Sequence, residues 1–229
     1  MQSGNFLIIS DLQIPFEAHH ALDFCKYLKK WANVPDENIL NVGDEVDNLN
    51  GGMYPKDPDG HHTPNSEIKE AKEKIKQWVA AFPYMRIAIS NHGLRWIKKS
   101  SMAEIPSQMM RAYQDVLQMP DTWQWSDSWL IETKHRFRIT HGMSFGGKTP
   151  YRQAAEMSAI SVAFGHLHSS AGICRVKTED KDIWSMNTGC LIDTVSYAFK
   201  YNKNDKFKPT LGAGVIVNDG STPIWVPYN

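Results

Sequence analysis

A fixed order of metal-ligand residue types, each just past a short apolar run, constrains this chain more than any other feature. Asp11, Asp44, Asn91 with His92, His141 and Gly165-His166-Leu167-His168 occur in that order. They follow residues 6–10, 39–42, 87–90, 137–140 and 162–164, which are rich in Ile, Val or Leu, or alternate, and so read as β-strands. Side chains at the C-terminal ends of successive strands converge on one edge of a sheet, where α/β proteins usually place their sites. The leading expectation is a two-metal centre at that edge.

The rest of the chain fits around these strands. Residues 18–32 carry Ala21, Leu22, Cys25, Leu28 and Ala32 at helical spacing and stop short of Pro35. Residues 66–82 carry Ile68, Ala71, Ile75, Trp78 and Phe82 on one face, with Ser66 as the expected N-cap. After residue 120 strands dominate. Residues 129–133 and 136–140 read as a hairpin, 161–164, 183–187 and 214–217 as further strands, and 151–157 as a short helix. Strand–helix units followed by a strand-rich half predict one α/β domain over 1–229, a sandwich of two sheets with helices outside. Residues 48–65, rich in Gly, Pro, Asp and His, read as a long loop, a length that usually serves function or is disordered. Residues 195–229 either complete a sheet or pack on a neighbouring chain.

Composition narrows the class. The 25 basic residues balance the 25 acidic ones, so no global field points to nucleic acid or a membrane. The lysine-rich residues 200–208 read as a solvated loop. Cys25, Cys174 and Cys190 are odd in number and form no CxxC, which argues against a disulfide framework or a thiolate zinc site. No apolar run reaches membrane-spanning length, and the N-terminal residues enter a strand without a signal-peptide pattern. The expectation is no membrane partner and a reducing, cytoplasmic setting. Nothing in the sequence sets an oligomeric state.

Taken singly, each motif has a plainer explanation. His141 reads as a hydrogen-bonded strand-end residue, and Asp44 and Asn91 as turn formers. Their coincidence in order, spacing and position at strand ends reverses that preference. The combination resembles the calcineurin-like metallophosphoesterase superfamily, whose pattern runs D-x-H, GD-x-x-D, GNH-D/E, HG and GH-x-H. This chain reads Asp11-Leu12-Gln13, Gly43-Asp44-Glu45-Val46-Asp47, Ser90-Asn91-His92-Gly93, His141-Gly142 and Gly165-His166-Leu167-His168. The resemblance spans residues 6 to about 190. The stretches Asp11-Leu12-Gln13-Ile14-Pro15-Phe16 and Asn187-Thr188-Gly189-Cys190 look closest to small bacterial and phage-encoded members, for which the cytoplasm would be the host's.

That resemblance implies a four-layer α/β/β/α sandwich of two mixed sheets and a set of roles. Asp44 would bridge two divalent ions, with Asp11, Gln13 and His168 on the first and Asn91, His141 and His166 on the second. Ions roughly 3.5–4 Å apart polarise a phosphoryl group and hold a hydroxide for in-line attack. Oxygen and imidazole ligands without thiolate suit Mn²⁺ first, with Fe, Zn²⁺ or Ni²⁺ as alternatives. His92 would be the general acid, oriented by Asp47. Arg95, just after this turn, is read as a bidentate phosphate clamp, its rival being an exposed helix charge. The chain departs from the pattern at Gln13, where His is usual, at Gly93, where an acid is usual, and at Ser90, where Gly is usual. A Gln carbonyl ligates more weakly than imidazole, so the first ion should bind more loosely or be a harder one such as Mn²⁺.

The implied function is hydrolysis of a phosphate ester, a phosphodiester in preference to a monoester. Nucleic acid or a nucleotide is a candidate substrate, with Trp96, Trp123 and Trp125 as stacking faces and His61 and His62 as entrance residues; the plainer reading of Trp123 and Trp125 is packing. The alternatives are a protein or small-molecule phosphomonoesterase, and a metal- or nucleic-acid-binding module that has lost catalysis.

Overall fold

The computed structural model describes residues 4–53, 62–195 and 206–229. In chain order the elements are β1 (Phe6–Ile9), α1 (Ala21–Trp31), β2 (Ile39–Asn41), α2 (Pro64–Ala81), β3 (Met85–Ala88), α3 (Arg95–Met102), α4 (Tyr113–Leu117), β4 (Trp123–Ser126), β5 (Ser128–Ile131), β6 (Phe137–Thr140), α5 (Pro150–Met157), β7 (Ser161–Phe164), β8 (Gly172–Lys177), β9 (Asp182–Asn187), β10 (Gly212–Val217) and β11 (Thr222–Pro227). They form an α/β fold with two mixed sheets. One has six strands in the order β11-β10-β1-β2-β3-β4, the other five in the order β5-β6-β7-β9-β8. β1 to β4 run parallel in the first sheet, as do β6, β7 and β9 in the second.

β1 is buried on both faces, and its period-2 alternation divides its side chains between two cores. Phe6 and Ile8 pack with Leu40 and Val42 against Phe137, Ile139, Ala163, Trp184 and Met186 of the other sheet. Leu7 and Ile9 pack instead with Ala21, Cys25 and Leu28 of α1 and Ala71, Ile75 and Trp78 of α2. The second sheet repeats the division, since Val162 and Phe164 meet Ala154 of α5 while Ala163 joins the inter-sheet core. Fully apolar strands are therefore required at the centre of each sheet, which is why the runs ahead of the ligand-type residues were legible.

Several boundaries differ from expectation for local reasons. The first helix begins at Ala21 rather than residue 18; the Ala18 N–H bonds the Leu191 carbonyl and its own carbonyl accepts from the Ala21 N–H in a turn ahead of the helix. The second begins at Pro64, and Thr63 rather than Ser66 is its N-cap, the Thr63 hydroxyl accepting from the Ser66 N–H. Proline at the first helical position costs no hydrogen bond there. β3 lies two residues earlier than residues 87–90. β4 alternates Trp-Gln-Trp-Ser but spans only four residues, and β8 and β11 lack a regular alternation of apolar residues, so none reads as a strand from sequence. β8 and β11 are edge strands, where polar residues and the prolines at 223 and 227 are tolerated. Residues 212–227 complete the first sheet. Within the expected loop, Leu49–Gly51 is a 3-10 turn. Residues 54–61, including Asp57, Asp59 and His61, and residues 200–205 of the lysine-rich stretch lie outside the described residues. No described helix is long and apolar enough to cross a membrane.

Phe137 sits between the sheets with its ring 5.2 Å from Phe6 and 5.5 Å from Trp184. Phe137→Ala is expected to cost about 3–5 kcal/mol, seen as a lower urea midpoint, whereas Thr63→Ala should cost about 0.5–2 kcal/mol.

Candidate metal centre

The parallel strands deliver the ligand-type residues to one edge. Asp11 follows β1, Asp44 follows β2, and Asn91 and His92 follow β3, three adjacent strands of the first sheet. His141 follows β6, and His166 and His168 follow β7, which are neighbours in the second. The Gly165 N–H donates to the His141 carbonyl at 3.2 Å, and the Gln13 N–H to the Asp44 carbonyl at 2.8 Å. Each turn is thereby tied to the next. Gln13, Asp44, Asn48 and His166 all carry positive φ, a conformation costing roughly 1–3 kcal/mol where the residue is not glycine. Gly165 has no alternative, because a Cβ there would collide with Asp11 Oδ1 and with Val42.

Around Asp44 the geometry gathers lone pairs. His141 Nδ1 lies 2.9 Å from the Val42 carbonyl, which can only accept, so Nδ1 carries the ring proton. Nε2, the other ring nitrogen, faces Asn91 Oδ1 at 2.7 Å, Asp44 Oδ2 at 3.4 Å and His166 Nδ1 at 3.2 Å. Acceptors gathered this closely call for a cation among them, either a proton on Nε2 or a metal ion. A backbone carbonyl on the far ring nitrogen is also how metal-bound histidines are usually fixed. Oxygens or nitrogens of Asp11, Asp44 and His141 fall within 4.8 Å of one another, a group able to hold a metal ion.

The other half of the cluster centres on Asp11. Its Oδ2 accepts from the His166 N–H at 2.8 Å and lies 3.0 Å from His168 Nε2. Its Oδ1 is buried with no hydrogen-bond partner, as is Gln13 Oε1. Gln13 Nε2, not Oε1, is the atom turned toward His168, at 3.3 Å. Unpartnered buried oxygens on Asp11 and Gln13, beside the imidazole of His168, suit a hard or borderline divalent ion.

The electrostatics divide the cluster, favouring the ligand state at Asp44 and His166 and the protonated state at His168 while no cation is bound. Burial opposes ionisation of Asp44, but His141 and His92 outweigh it and hold its carboxyl below the usual carboxylate range. Burial, then His141, keeps the His166 imidazole below its ordinary value and so neutral, as a ligand must be. Burial works the same way on His168, but the hydrogen bond and charge of Asp11 overcome it and raise that imidazole.

Beside the cluster stands a proton-bearing chain. His92 Nδ1 lies 2.9 Å from Asp47 Oδ1, within ion-pair distance though out of line for a hydrogen bond. Asn48 Nδ2 donates to the His92 carbonyl at 3.1 Å, and the His92 N–H to Asp44 Oδ1 at 3.2 Å. Arg95 Nη1 donates to the Asp47 carbonyl at 2.7 Å and to Asp47 Oδ1 at 3.1 Å, while Nη2 lies 2.8 Å from His92 Nε2. A guanidinium cannot accept, so His92 Nε2 carries a lone pair here and the ring proton faces Asp47. Arg95 thus reaches His92 and Asp47, and is neither an exposed helix charge nor part of the cavity wall.

A cavity of about 260 Å³ opens over the cluster. It is lined by the polar Gln13, Asp44, Asn91, His92, His166, His168 and Ser169 and by the apolar Leu167, Phe207 and Pro209. The expected stacking tryptophans are not in it. Trp123 is buried in the helix-side core, and Trp125 donates to Glu45 Oε1 at 3.0 Å; Trp96 is half-buried on α3. His62 packs edge-on against Phe16 and also lies outside the wall. Asp193 is a turn residue, its carboxylate accepting from the Val195 N–H.

Sequence reasoning passed over two supporting groups. Buried Glu45 accepts from Tyr113 Oη at 2.6 Å as well as from Trp125, which ties the turn carrying Asp44 and Asp47 to α4 and β4. Asn187 Nδ2 donates to the Leu167 and Ser170 carbonyls, both at 2.9 Å, and shapes the loop that carries His168. A charged residue between two motif aspartates was a usable signal for Glu45, and Asn187 opens the Asn-Thr-Gly-Cys stretch already singled out, though without a role assigned to it. No protein-family model matches the chain, and no curated protein matches it.

Asp44→Ala removes the carboxylate common to both halves of the cluster. It is expected to abolish Mn²⁺ uptake, measured as metal per chain after dialysis; two retained ions would overturn the shared role.

Proposed function

We propose that the chain is a metal-dependent phosphate-ester hydrolase of the metallophosphoesterase type, acting on phosphodiesters in preference to monoesters. The observation that carries this reading is the convergence of ligand-type atoms on Asp44, next to an Asp47–His92 pair and under an open cavity. The inter-sheet core, with helices packed on the far face of each sheet, is what a four-layer α/β/β/α sandwich requires.

Asp11, Gln13 and His168 would hold one divalent ion and Asn91, His141 and His166 the other, with Asp44 shared between them. Mn²⁺ is the first choice, ahead of Fe, Zn²⁺ and Ni²⁺. When bound, such a pair supplies Lewis-acid polarisation of the phosphoryl oxygens and acidifies an attacking water.

The chain's own groups handle the leaving group. His92 Nε2 faces the cavity wall that contains Asp44, the right side for protonating a departing oxygen. Nε2 must first exchange the Arg95 hydrogen bond for a proton. An anionic phosphoryl group entering the cavity attracts the guanidinium and favours that exchange, and Asp47 stabilises the imidazolium that results. Arg95 therefore acts through His92 and Asp47, as a positioning residue. A binding module without catalysis would need no such chain of Asp47, His92 and Arg95, which disfavours that alternative. The phosphomonoesterase alternative keeps the same residues and differs in rate.

Metal-stripped protein is expected to release p-nitrophenol from bis-p-nitrophenyl phosphate only when Mn²⁺ is added, and faster than from p-nitrophenyl phosphate. The reverse ranking would favour the monoesterase, and silence on both with metal bound would remove the hydrolase. His92→Ala should lower kcat by about 10²–10⁴-fold, the range for loss of a general acid. Its metal content should match the parent; a comparable loss of metal would make His92 a ligand instead.

A further inference from the structure

The apolar part of the cavity lining has chemistry of its own. Leu167, Phe207 and Pro209 line the same cavity as Asp44, His92 and His166. Phe207 is 60% exposed, a large aromatic ring left open to solvent at the rim. Its neighbours in the chain are both cations, Lys206 and Lys208, and both are exposed. The Lys206 ammonium lies 5.9 Å from the Phe207 ring centroid. The position of this Lys-Phe-Lys stretch relative to the cluster is set by the backbone. The Thr210 N–H donates to the His168 carbonyl at 2.7 Å, and the Cys190 N–H to the Thr210 carbonyl at 3.1 Å.

An open aromatic face flanked by ammonium groups matches single-stranded nucleic acid: bases stack on the ring whatever their identity, and cations follow the phosphates. A duplex hides its base faces, and an unstacked base does not. The cavity, at about 260 Å³, lies just under the range of roughly 300–1,000 Å³ typical of small-molecule sites, so it admits a single unit of a chain rather than a paired helix. We propose that Phe207 stacks a nucleobase of a single-stranded nucleic acid whose adjoining phosphodiester lies over the ligand cluster, with Lys206 and Lys208 on the flanking phosphates. The placement of that phosphodiester rests on the hydrolase reading above; the stacking does not.

The test is binding of fluorescein-labelled eight-residue strands to the full chain without added metal, so that no strand is cut. The strands are oligothymidylate, oligouridylate, an abasic strand of the same length and charge, and an oligothymidylate–oligoadenylate duplex. Both base-bearing single strands should bind tighter than the abasic one and the duplex, their order telling DNA from RNA. Phe207→Ala should weaken base-bearing strands by about 5–150-fold, the range found when a stacking ring is removed, and leave the abasic strand nearly unchanged. Phe207→Trp should keep or improve the preference. Equal binding of abasic and base-bearing strands, duplex binding as tight as single-strand binding, or no effect of Phe207→Ala would each overturn the proposal. Metal-dependent turnover of bis-p-nitrophenyl phosphate, measured in parallel, separates the two readings. Turnover without base preference keeps the hydrolase and removes the stacking site. Base preference without turnover does the opposite.

Discussion

His141 and Val42 join the two sheets where their strands end, the imidazole of one fixed by the carbonyl of the other at 2.9 Å. That single hydrogen bond decides the state of the cluster. It places a ring proton on Nδ1 and turns Nε2 toward Asn91 and Asp44, the position from which an imidazole ligates a metal ion. The electron-rich pocket around Asp44, and the metal-dependent chemistry proposed for it, both follow from that orientation.

Holding such a cluster costs stability. Buried acceptors facing one another, and positive φ at Gln13, Asp44, Asn48 and His166, persist only where the surroundings leave no alternative. The surroundings here are two apolar cores, one between the sheets and one beneath the helices, with β1 contributing alternate side chains to each. Short ties carry that rigidity to the turns: Glu45 to Tyr113 and Trp125, Asn187 to the His168 loop, Asn48 to the His92 carbonyl. Loops alone would relax into arrangements that satisfy the acceptors.

Much of the site was legible because its residues follow strands whose apolar runs are unmistakable. Asp11, Asp44, His141 and His166 are found at strand ends for the same reason that α/β sheets gather sites there. Arg95 was legible by position but not by partner. Its place after His92 suggested a phosphate clamp, and only the fold shows it engaging Asp47, residues away in the chain and adjacent in space. The tryptophans were the weakest guide. Trp123 and Trp125 suit stacking and packing equally well in sequence, and burial under α2 and beside Glu45 commits them to packing. Phe207, in a stretch that reads as solvated loop, is the ring that lines the cavity.

The sequence by itself determined the α/β alternation and the ordered set of ligand types, because hydrophobic period and residue chemistry are local properties. Tertiary structure alone decided which ring nitrogen carries a proton, which oxygens are left without partners, and which aromatic faces solvent. Those depend on what lies opposite each group, and opposition across two sheets joins residues as distant as Asp11 and His168. A side chain's chemistry is written in the chain, but its protonation and exposure are set by its neighbours in space.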